Sequence, residues 1–205
     1  MLVVHPNDRT TKMLSLLYEG IDAQVIRENC SSKEMGRLLC HTSSQDRIML
    51  LGHGSENGLF YREDDRADVF DNIIVGHPHA YHLRKHHGNI VGIWCNSDMF
   101  ARKEGLHGLF TGMIISELSE ALLYHIETTQ EELDRENVKI ARRLRTLLDE
   151  RIPLSEIPKR MRVMDDEQSP LTTFNYNNFH YLTIYKKLRG KKYYMYQTLF
   201  GDISI

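Results

Sequence analysis

Two residues of this sequence have the types and settings that thiol chemistry needs: His53 within Gly52-His53-Gly54, and Cys95 within Trp94-Cys95-Asn96. A thiolate is the attacking species, and an imidazole within a few ångströms takes its proton and later passes it to the leaving group. Forty-two residues separate them, so only the fold can bring them together. Each follows an apolar run of strand length, Ile48-Met49-Leu50-Leu51 and Asn89-Ile90-Val91-Gly92-Ile93-Trp94. In open α/β sheets, ligands bind beyond the carboxyl ends of the strands, where a side chain meets substrate while its backbone is held rigidly. Gly54 meets a further need, because a residue without a side chain lets its N–H approach a substrate carbonyl oxygen. Taken singly, the cysteine reads as a small buried hydrophobe and the His-Gly pair as a turn. Their joint placement favours chemistry.

The surrounding pattern supplies the elements that would hold them. Leu2-Val3-Val4 is a strand stopped at Pro6-Asn7-Asp8, followed by a helix carrying Met13, Leu14, Leu16 and Leu17. Ala23 to Ile26 is a second strand, and Ser31 to Glu34 starts a helix with Met35, Leu38 and Leu39 inward. With Arg47–Leu51 and Asn89–Trp94 as the third and fourth strands, the alternation predicts an α/β fold with a mostly parallel sheet.

Between the third and fourth strands, Leu59–Tyr61, an acidic turn at Glu63-Asp64-Asp65 and Ile73–Val75 read as a hairpin, and residues 79–87 as a short helix. The glycines from Gly105 to Gly112 read as a loop leading into a helix with Glu117 to Tyr124. An amphipathic helix follows from about Thr129 to Glu150, with Leu133, Ile140, Leu144, Leu147 and Leu148 on one stripe. Pro153, Pro158 and Pro170 break the chain. Phe174, Tyr176, Phe179, Tyr181 and Ile184 then suggest late strands, with a terminal hairpin turning at Arg189-Gly190-Lys191.

With 205 residues, 41% hydrophobic and 26% charged, the chain reads as one globular domain, residues 1–205, with a core over about 1–125 and a helical, aromatic-rich portion over 126–205. A net charge of -2 offers no global attraction to nucleic acid or to an anionic membrane, and the basic stretch Lys186–Lys192 reads as a solvated turn. Three cysteines without CxxC spacing form neither a disulfide framework nor a zinc ribbon, which points to a reducing, cytoplasmic setting. The N-terminus lacks the charged-then-apolar pattern of a signal peptide, and no stretch approaches a membrane span.

The block Ile48-Met49-Leu50-Leu51-Gly52-His53-Gly54-Ser55, followed by Ile93-Trp94-Cys95-Asn96-Ser97, resembles the caspase-like cysteine peptidases, the group of caspases, metacaspases, clostripain, gingipains, legumain and separase. The resemblance covers about residues 1–125. It implies a three-layer sandwich around the sheet, His53 as the catalytic histidine, Cys95 as the nucleophile, and the amides of Gly54 and Cys95 as oxyanion donors. It also implies a peptide or protein substrate and no metal or organic cofactor. The caspase cysteine sits in Gln-Ala-Cys-x-Gly about 50 residues after its histidine. Ile-Trp-Cys-Asn-Ser therefore marks a branch outside the caspases proper.

Asp98, Glu117 and Glu120 are candidates for substrate contact; a carboxylate in the pocket would favour an arginine or lysine beside the scissile bond. Two other readings compete. The scaffold could bind a peptide or small ligand without cutting it. Alternatively, His82 and His86, spaced i, i+4 within the run His77, His79, His82, His86 and His87, could hold a metal for a hydrolase.

Overall fold

Alternation along three short strands sorts their side chains onto two faces. Leu2, Val4, Ile48, Leu50 and Ile90 enter one core, while Val3, Met49, Leu51, Val91 and Ile93 enter another, as period-2 geometry requires. A strand buried on both faces must be apolar at every position, which is why these segments read as unbroken runs.

The computed structural model describes residues 1–64, 69–70, 72–188, 191–198 and 201–204, with side chains described as far as Thr183. The chain begins with β1 (Leu2–Val4), a 3-10 helix (Lys12–Leu17), β2 (Gln24–Ile26), α1 (Ser32–His41) and β3 (Ile48–Leu51). Then come β4 (Gly54–Ser55), β5 (Gly58–Tyr61), β6 (Asn72–Gly76), a second 3-10 turn (His77–His79), α2 (Ala80–Leu83), β7 (Ile90–Ile93) and α3 (Ser97–Glu104). The remainder is β8 (Gly108–Thr111), α4 (Leu118–Leu123), α5 (Gln130–Asp149), α6 (Ile157–Val163), α7 (Pro170–Asn177), β9 (Phe179–Leu188), β10 (Lys191–Thr198) and β11 (Gly201–Ser204).

The main sheet runs β2-β1-β3-β7-β8-β9-β10-β11. Its first five strands are parallel, and β9, β10 and β11 each pair antiparallel. The architecture is thus α/β with a mostly parallel sheet. One core lies beneath α1, α2 and α3, and the other beneath the first 3-10 helix, α5, α6 and α7, so helices cover both faces. Helix α1 starts on a capping box: the Ser31 side chain accepts from the Glu34 N–H, and the Glu34 carboxylate accepts from the Ser31 N–H at 2.8 Å. Thr129 caps α5 in the same position, accepting from the Glu132 N–H at 3.2 Å.

Several expectations give way. The glycine-rich stretch 105–112 is not simply a loop, because Gly108–Thr111 forms a fully buried strand of the main sheet. A Cβ on Gly108 would stand 2.2 Å from the Ile90 carbonyl oxygen, so the glycine permits close strand pairing here. Phe174 and Tyr176 lie on α7 rather than on a late strand, because Ser169 caps that helix and Pro170 occupies its first turn, where a missing N–H costs nothing. Pro158 likewise starts α6. The helix expected over 79–87 ends at Leu83, so His82 and His86 share no helical face. His86 instead turns its Nδ1 to the Asp46 carbonyl at 3.3 Å, buried, with its pKa lowered by that burial. Among the described residues, no group of three or more His, Cys, Asp or Glu is arranged to hold a metal ion.

Strands β9 and β10 pair antiparallel as the terminal hairpin requires; its turn residues 189–190 lie outside the described residues, as do the side chains of the basic stretch and part of the acidic turn at 63–65. No helix among the described residues is long and apolar enough to cross a membrane.

Candidate active site

The site begins with strand register. Leu51 pairs with Ile93 across β3 and β7, and the Gly52 N–H extends the ladder by donating to the Ile93 carbonyl at 3.0 Å. His53 and Cys95 each lie two residues past that last pair, in the turns that leave the carboxyl ends of these adjacent parallel strands. Gly52 turns the chain with φ +139°, a conformation that side-chain-bearing residues rarely adopt.

Trp94 sets the distance between the two turns. Its indole is 2% exposed, packs on Phe100, and donates from Nε1 to the Ser55 carbonyl at 3.0 Å. A Cβ on Gly54 would stand 2.2 Å from Trp94 Cδ1, so glycine at 54 is what lets this indole lie against the hairpin. The bulk beside Cys95 therefore has a mechanical role: it ties the end of β7 to β4.

The turn after Cys95 is held by a buried hydroxyl pair. Ser97 donates to the Gly92 carbonyl at 2.8 Å and accepts from the Thr111 N–H at 2.8 Å, while the Thr111 hydroxyl donates to the Trp94 carbonyl at 2.9 Å. Asn96 takes a left-handed backbone conformation, φ 64°, at the position just before α3 begins.

Both proposed oxyanion donors have amides to spare. The Phe60 N–H donates to the His53 carbonyl at 2.8 Å, making 53 and 60 a hydrogen-bonded pair. Gly54 opposite Leu59 is then a non-hydrogen-bonded position, and its N–H points out of the hairpin. The Cys95 N–H donates to no acceptor among the described residues.

His53 is oriented by Thr10 and Asp8, in the segment that follows β1. Asp8 follows β1, the strand beside β3. The single hydroxyl hydrogen of Thr10 goes to Asp8 Oδ1 at 2.6 Å, so Thr10 Oγ1 accepts from His53 Nε2–H at 2.7 Å. That chain fixes the tautomer and leaves Nδ1 as the basic nitrogen. Asp8 Oδ1 also lies 3.5 Å from His53 Nε2, and its Oδ2 takes Arg62 Nε and Nη2, each at 2.6 Å. Burial alone would raise the Asp8 carboxyl, but the bonds from His53 and Thr10 outweigh it and hold the group well below the usual carboxylate range. The rule that singled out His53 and Cys95, a polar residue past the end of a parallel strand, applies equally to Asp8.

The acids separate clearly. Asp98 is buried in α3 and paired with Arg102 at 2.7 Å. Glu117 and Glu120 open α4 and reach the two candidate catalytic side chains. Glu117 Oε1 is 3.7 Å from His53 Nε2, and Glu120 Oε1 is 3.8 Å from Cys95 Sγ, which also faces the Ile114 carbonyl at 3.7 Å. Glu120 Oε2 is occupied by the Ser116 N–H at 2.7 Å and the Glu117 N–H at 3.2 Å. Burial, with the Glu120 carboxylate beside it, pushes the Cys95 thiol up to about 12. Burial likewise raises the Glu120 carboxyl, against the lowering bond from the Ser116 N–H. A cleft of about 600 Å³ adjoins this centre, sharing Thr10, Ser116 and Glu117 with it and lined further by Arg9, Gln130 and Asp134.

Compared with known proteins, the chain matches no family model, no curated protein and no solved structure.

Proposed function

We propose that this chain is a caspase-like cysteine endopeptidase. The observation that carries the reading is the pairing of β3 with β7, whose carboxyl ends lead into the turns that carry His53 and Cys95. His53 Nδ1 takes the Cys95 proton, and the thiolate attacks the peptide carbonyl carbon. The resulting oxyanion is held by the amides of Gly54 and Cys95. The C–N bond then breaks as the imidazolium protonates the leaving amine, giving a thioester. Water, deprotonated by His53, attacks the thioester and returns the thiol. The three free cysteines Cys30, Cys40 and Cys95 support a reducing compartment such as the cytoplasm.

Incubation with a mixed peptide library tests the reading: the wild type produces new termini and Cys95→Ala produces none. A second reading, a peptide-binding module that does not cut, draws support from the raised thiol pKa in this conformation. Retention of library peptides by both proteins without new termini would select it.

A further inference from the structure

At the opposite end of the sheet from His53 and Cys95, a cleft of about 610 Å³ opens where β3 and β7 begin. Arg47 directly precedes β3 and Asn89 directly precedes β7, and the Ile48 N–H joins the two segments by donating to the Asn89 carbonyl at 3.0 Å. The whole length of β3 separates this cleft from His53. The segment between α5 and α6 closes its other side with Arg151, Ile152 and Ser155. Its charge is all of one sign: Arg47 and Arg151 line it, and no acid does. Neither makes an ion pair or a side-chain hydrogen bond among the described residues, whereas Arg62, Arg84, Arg102 and Arg143 each reach a carboxylate. Arg47 is partly buried, and its Nε is sealed from solvent without an acceptor. Burial lowers its pKa, and no neighbouring acid counters the effect. A guanidinium taken out of water calls for an anion to meet it.

We propose that this cleft binds a small phosphate monoester, with Arg47 and Arg151 on the phosphoryl oxygens and the organic body against Leu148, Ile152 and Tyr181. Two features select this class. At neutral pH a phosphate monoester carries close to two negative charges, matching two guanidinium groups, where a carboxylate brings one. The cleft is also of the size that holds an organic ligand, about 300–1,000 Å³, and part of its wall is apolar, so a bare phosphate would leave most of it unfilled. No residue of the His53 and Cys95 centre takes part, and the inference stands apart from the peptidase reading.

Isothermal titration calorimetry with phenyl phosphate, benzoate and inorganic phosphate at about pH 7.5 tests it, since the monoester is then mostly the dianion. Phenyl phosphate should bind the wild type one to one, with a Kd below about 1 mM. Benzoate, which lacks the second charge, and inorganic phosphate, which lacks the apolar contact, should each bind at least about 10-fold more weakly. Arg47→Met and Arg151→Gly should each weaken phenyl phosphate by about 10- to 100-fold, the scale of a charge-assisted contact. Arg151 holds a left-handed backbone, φ 56°, just past the end of α5, so glycine there removes the cation and suits the turn. Arg27→Gln, which removes a cation at the carboxyl end of β2, should bind as the wild type does. Absence of wild-type binding, or binding unchanged in both Arg47→Met and Arg151→Gly, would overturn the site. An equal loss in Arg27→Gln would overturn it too, as the mark of general charge attraction. Benzoate or inorganic phosphate binding as tightly as phenyl phosphate would overturn the assignment to a monoester.

Discussion

Replacing Asp8 by Asn should disable His53 by reversing a hydrogen-bond chain. In the wild type Asp8 only accepts: Oδ1 takes the Thr10 N–H at 2.9 Å and its hydroxyl at 2.6 Å, and Oδ2 takes Arg62. Asparagine has one acceptor end, and the two charged Arg62 donors at 2.6 Å claim it over the single Thr10 N–H at 2.9 Å. The amide NH2 must then face Thr10. The Thr10 hydroxyl accepts from it and turns its own hydrogen toward His53 Nε2. This forces the proton onto Nδ1, the nitrogen that should receive the Cys95 proton.

The substitution also removes the carboxylate that stabilises the imidazolium from 3.5 Å. A hydrogen-bond chain ending in a charge contributes about 1.5–3 kcal/mol, and at 1.36 kcal/mol per decade this amounts to a fall of about 10- to 150-fold in kcat/KM. The assay is steady-state cleavage of the best library-derived peptide at a temperature well below the melting point of both proteins. Thr10→Val should fall less, because Asp8 remains beside the ring. A folded Asp8→Asn protein within twofold of wild-type activity would refute the reasoning.

Three further outcomes follow from the same geometry. Gly54→Ala drives a methyl group into Trp94 and the Gly58 carbonyl, at 2.2 and 2.4 Å; it should lower stability by about 1–3 kcal/mol in urea unfolding and cut activity with it. Ser97→Ala leaves the buried Thr111 N–H without its acceptor and should cost about 1–3 kcal/mol by the same measurement. Because the folded carboxyl of Asp8 is depressed, its stabilisation is fully present above the unfolded value of about 3.9 and is lost as pH falls through the folded one. Urea midpoints taken downward from pH 5 should therefore drop more steeply in the wild type than in Asp8→Asn.

The parallel core was legible because buried strands must be apolar throughout, and Leu2–Val4, Ile48–Leu51 and Ile90–Ile93 are. Gly108–Thr111 was not, since glycines that permit close strand approach look the same in sequence as glycines of a loop. Phe174 and Tyr176 carry strand-like composition, and the capping of α7 by Ser169 and Pro170 decided their conformation. At the site, the strand-end rule supplied His53 and Cys95 from two apolar runs. Asp8 was obscured by His5 and Pro6, which separate it from β1; His5 is itself buried against the Tyr18 hydroxyl at 2.9 Å, its pKa lowered to about 4 by burial. Which of Asp98, Glu117 and Glu120 faces the thiol depends on how β8 leads into α4, and spacing along the chain carries no record of that.

Covalent capture tests the dyad most directly. A mixture of peptidyl acyloxymethyl ketones, varied in the residue next to the reactive carbon, loses its acyloxy group only to an activated thiol. Intact-mass and peptide mapping should find one adduct, on Cys95, with Cys30 and the exposed Cys40 unmodified, and a rate that falls by about 100-fold or more in His53→Ala. Adducts on Cys40 in preference to Cys95, or equal labelling of Cys95 in the wild type and His53→Ala, would contradict the account.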